Sequence, residues 1–413
     1  MPGRANNYKL VIISCFVGIF VQAIMTNITA ILFIPLMSLY GLSFIHLGIL
    51  VGINFTTQVG VDIIFSGLID KIEFKKLILP ANILSFIGLV LFGLTPFLFE
   101  NIFIGIVIST IIFSGASGLL EILLSPIINA IPNKNKGPIM SLMHSFYAWG
   151  QVATIIVTTL FIFIFGKNYW QIIVLIWALA PLINFFMFLK AKFPACVPEE
   201  SRQNIKDLIL NPFCLLAFGA IFCGAATEII MSQWSSTFME KALLFPKITG
   251  DLLGMCGFAV MMGIARTLYG IYGEKININN VLVKSSILAT VCYIIVALSP
   301  SNVISLASCT ICGLFASLLW PGTLITTSKK FPLAGAWIFA LLAAAGDVGA
   351  GFGSYVTGLV VDKLTNISIV VNMSKLMNIS LEQGALRMGI LIGAIFPLLA
   401  FICHIYLKKL SDA

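Results

Sequence analysis

Apolar runs of about twenty residues or more, separated by short clusters rich in Lys, Asn, Pro and Gly, fill the chain from residue 10 onward. A helix that crosses a bilayer needs about 20 mostly apolar residues. The runs divide into twelve stretches of roughly that length or longer, at 10–38, 44–69, 77–98, 101–130, 139–166, 169–190, 212–238, 249–272, 281–299, 303–327, 334–361 and 386–407. The pattern predicts an all-α membrane protein with twelve transmembrane helices, spans one to twelve in chain order. Residues 1–9 are polar, and the run after them is too long for a signal-peptide core and has no small-residue cleavage site, so it reads as a retained span.

Polar positions inside the runs are sparse and ordered. Asn54, Gln58, Asp62, Ser66 and Asp70 recur every fourth residue in span two and form one stripe on a helix. Charged side chains fall in spans two (Asp62), four (Glu121), seven (Glu228), eight (Arg266) and eleven (Asp347), while the interiors of spans three, six, nine and twelve carry none. A charge at bilayer depth is costly and usually faces a polar cavity or a partner.

The chain also repeats itself. The long polar connection from Lys190 to Asn211 splits it into six spans and six, which predicts bundles at 1–190 and 212–413 joined by a cytoplasmic linker at 191–211. Leu123-Leu-Ser-Pro126 in span four returns as Leu318-Leu-Trp-Pro321 in span ten, and Gly150-Gln-Val152 in span five as Gly346-Asp-Val348 in span eleven, at offsets of 195 and 196. Near-equal offsets indicate two parallel pseudo-repeats about an axis along the membrane normal.

Composition agrees with the class: 59% of the residues are hydrophobic and 10% charged, and the mean hydropathy is +1.06. The net charge of +8 is spread between apolar runs, with no single basic face, so it points to bilayer orientation and away from nucleic acid. With both termini in the cytoplasm, seventeen Lys and Arg lie inside and six outside, Arg266 being within a span. Of the nine cysteines most lie in apolar runs; Cys309-x-x-Cys312 has no second pair and reads as packing. No metal-ligand spacing, nucleophile arrangement, phosphate-binding loop or dinucleotide fingerprint occurs, so neither an enzyme nor a cofactor is expected.

After span two stands Ser66-Gly-Leu-Ile-Asp70-Lys71-Ile-Glu-Phe-Lys75-Lys76, and after span eight Gly270-Ile-Tyr-Gly-Glu274-Lys275. The first resembles the signature G-x-L-x-D-R-x-G-R-K of major facilitator transporters, with Ser66 and Glu73 in place of glycines. Glu121, His144-Ser-Phe-Tyr147-x-Trp149-Gly150, Glu228 with Trp234, and Gly346-Asp347 resemble the fucose/galactose–proton symporter-like permeases of that family. Two features depart from such patterns. Span one has Gln22 and Asn27 where those symporters carry an acid, and span five lacks the glycine-proline motif of drug antiporters. The resemblance implies a secondary transporter of a small polar solute, a sugar or polyol, working by alternating access with proton symport. It also implies that eight spans line a central cavity, with spans three, six, nine and twelve outside.

Candidate residues follow. His144, Tyr147 and Gln151 share one helix face; Glu228 has Ser232, Gln233, Ser235 and Trp234 nearby, an acid with an aromatic ring, as sugar recognition uses. With Gln22, Asn27, Glu121 and Trp320 these form the expected solute site, against the alternative that the Trp and His residues are packing. Glu121, Glu228 and Asp347 are the expected proton-coupling acids. Asp62, Asp70, Lys71, Arg266, Glu274 and Lys275 are the expected gating residues. The 204-residue offset between Asp70 and Glu274 takes Asp62 to Arg266, which predicts state-dependent pairing of either with span five or eleven in preference to a direct bridge; Arg266 could instead hold an anionic solute. Glu121 has no counterpart, since offset 195 leads to Ala316. Efflux of an amphiphilic or anionic metabolite, or solute sensing without transport, remain as alternatives. The Ile-, Lys- and Asn-rich composition suggests a bacterial source, and a monomer in the cell membrane is expected. Between spans eleven and twelve, Ile369, Val370, Met373, Leu376 and Met377 suit an interfacial helix.

Overall fold

The computed structural model describes residues 8–66, 72–131, 136–194, 210–273, 276–331, 337–363, 365 and 367–412. Among them every regular element is helical. Eleven helices are long and apolar enough to cross a membrane, and the number reaches twelve when Ala340–Lys363 and Ser368–Met377, bent by 79° at the break between them, count as one span. Helices stand at all twelve expected positions. Asp70, Lys71, Glu274 and Lys275 of the signature loops lie outside the described residues.

Several spans that read as single runs are broken, and proline explains most of the breaks. Span one is Lys9–Ile31 followed by Phe33–Tyr40. Pro35 has no N–H to give to the carbonyl four residues earlier, at Ile31, and the helix parts at Leu32. Span ten is likewise Asn302–Ala316 and then Leu319–Lys330, where Pro321 leaves the Ser317 carbonyl free. Span twelve is Leu381–Gly393 and Ile395–Asp412, with Pro397 four residues after Gly393. Span eight departs differently: Lys247–Thr249 leads into a π-helical turn, Gly250–Met255, before the regular helix Cys256–Tyr272.

The remaining spans are Phe44–Ser66 (two), Phe74–Leu98 (three), Ile102–Ala130 (four), Lys136–Phe165 (five), Trp170–Lys190 (six), Pro212–Lys241 (seven), Ile278–Leu298 (nine) and Trp337–Lys363 (eleven). The spans form two six-helix bundles. The bundles meet where span two packs along span eleven and span five along span eight. Glycines allow the first contact: a Cβ at Gly358 would come within 2.9 Å of the Phe44 carbonyl, and one at Gly351 within 3.3 Å of Phe55 Cβ. Small residues at such crossings bring helix backbones together where no hydrophobic force separates lipid from protein.

Outer faces are apolar. In span six Ile172, Ile176, Leu179, Ile183 and Phe186 form one exposed stripe at helical spacing. Leu288, Val291 and Ile294 do the same for span nine. Arg387, one of the six charges counted as outside, lies within the helix of span twelve and is 2% exposed. It donates to the carbonyls of Ala297 and Ser299, both at 3.0 Å, where the last turn of span nine leaves acceptors unpaired.

Candidate solute and coupling site

Two polar groups face each other from the two bundles. In the first, Gln22 of span one donates from Nε2 to Glu121 of span four at 2.8 Å. The Thr26 hydroxyl, one turn along from Gln22, donates to the Gln22 carbonyl at 3.0 Å and also meets Tyr147 of span five. His144 Nε2 and Ser125 Oγ are 3.2 Å apart, joining spans five and four. In the second bundle Arg266 of span eight donates from Nη2 to Glu228 of span seven at 2.8 Å and from Nε to the Ser317 carbonyl of span ten at 2.9 Å. Tyr147 lies in the field of Glu228, Arg266 and Glu121 together, and His144 in that of Arg266. The next residue along, Ala148, would meet a Cβ at Gly263 of span eight at 3.5 Å, so this stretch of span five runs along the span that carries Arg266.

A row of acids runs beside this centre. Asp62 is 0% and Asp347 is 2% exposed, and the two interact electrostatically with each other and with Glu121. Among the described residues both oxygens of Asp62 and one of Asp347 have no hydrogen-bond partner. Further along span two the polar stripe is bonded inward, Asn54 to the Met25 carbonyl at 3.2 Å and Gln58 to Asn54 at 2.8 Å.

The structure thus gathers Gln22, Glu121, His144, Tyr147, Glu228 and Arg266 from the expected set and leaves others aside. Asn27 is spent on its own helix, donating to the Ala23 carbonyl at 2.9 Å. Trp234 is 1% exposed, donates to Ser354 at 2.8 Å and is packed between Phe33 and Phe44, so it offers no face for stacking. The Trp320 ring lies against Gly346 of span eleven and fills the space that glycine leaves. Gln151 is buried. In this structure the partner of Arg266 is Glu228, on span seven of its own bundle, and not a residue of span five or eleven.

Thr26, Ser125 and the Ser317 carbonyl belong to the site and were not foreseen. Thr26 was findable, four residues from Gln22 and on the same face. Among the described residues no three His, Cys, Asp or Glu are arranged to hold a metal ion.

A family model described as Major Facilitator Superfamily matches residues 15–354. Among curated proteins none matches. The chain is similar in structure to the E. coli fucose:proton symporter FucP, with 15% identity and a TM-score of 0.68 over 97% of this chain and 99% of that one. It is similar to a bacterial homologue of the human lysosomal transporter Spinster in an inward-facing, occupied conformation, with 14% identity and a TM-score of 0.74 over 99% and 97%. A D-xylose–proton symporter is similar at 14% identity and a TM-score of 0.71, over 94% and 96%. At such identities the likeness is one of fold, and with the family match over most of the chain it leads to one conclusion: the chain belongs to the Major Facilitator Superfamily of transporters.

Proposed function

We propose that this transporter carries an uncharged small polar solute, a sugar or polyol, together with protons, through a site between Glu121–Gln22 and Arg266–Glu228. The observation that carries the reading is the pairing of the cation at the centre. Arg266 is neutralised by Glu228, which suits the site to the hydroxyls of a neutral solute more than to an anion. Glu121 and Gln22 offer acceptors and donors on the facing bundle, and Tyr147 and His144 close the ring.

Glu121 is the proposed coupling acid. It has no counterpart in the second repeat, and its carboxyl is linked electrostatically to Asp62 and, across the bundle interface, to Asp347. Charging one member of such a set alters the cost of charging the others. A proton arriving at Glu121 changes its carboxyl from acceptor to donor towards the solute, and relaxes the repulsion between span four and the span two–eleven contact. Bundles 1–190 and 212–413 then rock about the site, with 191–211 as a cytoplasmic linker. The charge asymmetry supports both termini lying in the cytoplasm.

Reconstitution into proteoliposomes with an inward proton gradient tests the reading. Solute-dependent proton entry with a member of a sugar and polyol panel is expected. Transport of another solute class with none from the panel would overturn it.

A further inference from the structure

Far from the solute site, at the end of the molecule opposite both termini, a second polar cluster joins the two bundles. Its centre is Asp251, 2% exposed, in the π-helical turn that opens span eight. π turns widen a helix by one residue and recur at functional positions. Here the turn brings Asp251 among three donors. Lys247 Nζ is 2.6 Å from Oδ1, Thr159 Oγ1 of span five is 2.9 Å from Oδ2, and Ser236 Oγ of span seven also donates to Oδ1. Gly250 permits the close fit, since a Cβ there would lie 3.0 Å from the Ser236 carbonyl. Lys247 reaches on to the Ile31 carbonyl at 3.3 Å. That carbonyl is the one released by Pro35, so the break in span one has an acceptor to offer and Lys247 occupies it.

Two of these contacts cross between bundles: Thr159 to Asp251, and Lys247 to Ile31. Two further side-chain hydrogen bonds cross between the bundles, the first at this same end and the second level with Thr26 of the solute site. Asp362 of span eleven accepts from the backbone N–H of Ile45 at 2.8 Å, and Gln233 donates to the Thr26 carbonyl at 3.0 Å.

We propose that Lys247 and Asp251, with Thr159 and the Ile31 carbonyl as their receptors on the first bundle, are the latch that holds the extracellular gate shut. The inference rests on the alternating-access reading above, which makes this end extracellular. The division of contacts gives the latch its reversibility. Lys247, Asp251 and Ser236 all belong to the second bundle, so the ion pair travels intact when the bundles part and no buried charge is stranded. Only the two crossing contacts break, and water can replace both. An ion pair split between the bundles would resist opening far more, because removing one partner of a buried pair is strongly unfavourable.

Hydrogen–deuterium exchange of the purified full-length protein, read peptide by peptide, tests this without a solute. Thr159→Val removes one crossing bond at constant volume, and Thr159→Ser restores the hydroxyl. The double variant Lys247→Gln/Asp251→Asn removes the ion pair while leaving polar groups in place. Loss of one charge-assisted hydrogen bond shifts a closed-to-open ratio by roughly ten-fold. Thr159→Val is therefore expected to speed exchange by about that factor in peptides covering 28–40 and 245–256, with peptides at 72–85 and 395–410 unchanged, and Thr159→Ser to return to the parent rate. Unchanged exchange at 28–40 and 245–256 in both Thr159→Val and the double variant would overturn the latch. So would a uniform rise at both ends, which reports general destabilisation. Failure of proton-coupled sugar uptake, by contrast, would leave this result standing and strike only at the solute and its coupling.

Discussion

Arg266 donates from Nε to the carbonyl of Ser317, the acceptor that Pro321 leaves without a helical partner. The same arrangement holds Lys247 to Ile31 below Pro35. In both cases a proline in a transmembrane run opens a backbone acceptor and a cation from another span fills it, which satisfies a group that could not otherwise be left bare in a dry interior. One carbonyl holds the basic side chain at the centre, and the other lies at the seam between bundles.

Pro321→Ala should therefore act on function through Arg266. The restored N–H reclaims the Ser317 carbonyl for the helix, and Arg266 keeps only Glu228. Thermal stability is expected to hold or rise, while solute flux in proteoliposomes falls by about ten-fold, the weight of one charge-assisted contact used to orient the guanidinium. Unchanged flux would show that Arg266 needs no such anchor.

Arg266→Met should be among the most damaging single changes in the second bundle. It strands Glu228 in a buried position, a loss of about 3–5 kcal/mol in comparable pairs. Arg266→Met/Glu228→Gln removes both charges and should recover most of the melting temperature without recovering transport. A double variant as unstable as the single one would mean that the pair itself does not account for the loss.

The twelve spans were legible because a bilayer demands length and apolarity of every crossing, and turn residues mark the gaps. The breaks were not. Pro80, Pro96, Pro126 and Pro181 all sit within unbroken helices, so a proline by itself does not tell which helix parts; a cation on a neighbouring span to take the freed carbonyl is a tertiary fact. Glu228 and Arg266 stood out as intramembrane charges, yet their pairing depends on how span seven lies against span eight. The Asp251 cluster was hidden for another reason: Lys247 and Asp251 lie near the start of a run, where charged residues read as loop. Trp234 is the error that periodicity could have prevented. Six residues beyond Glu228, it points about 120° away around the helix.

Glu121→Gln separates coupling from binding. The amide can still accept from Gln22 Nε2, so the span one–span four contact and membrane insertion should survive. Proton-driven accumulation is expected to vanish, while solute counterflow, which needs no net proton movement, continues at a rate within about three-fold of the parent, since only neutral hydrogen bonds change. Equal loss of both activities would assign Glu121 to solute binding alone.

Trp234→Phe tests the reassignment of the most sugar-like feature in the sequence. The indole is enclosed by Phe33 and Phe44 and bonded to Ser354, so the substitution removes a hydrogen bond and some packing at the seam of spans one, two, seven and eleven. A loss of about 1–3 kcal/mol in stability is expected, the range for leaving a buried polar partner unsatisfied. Solute affinity in the folded fraction, measured by titration calorimetry, should stay within about two-fold, because the ring has no exposed face with which to stack on a sugar. A large fall in affinity with unchanged stability would return Trp234 to the solute site and require span seven to rotate during the transport cycle.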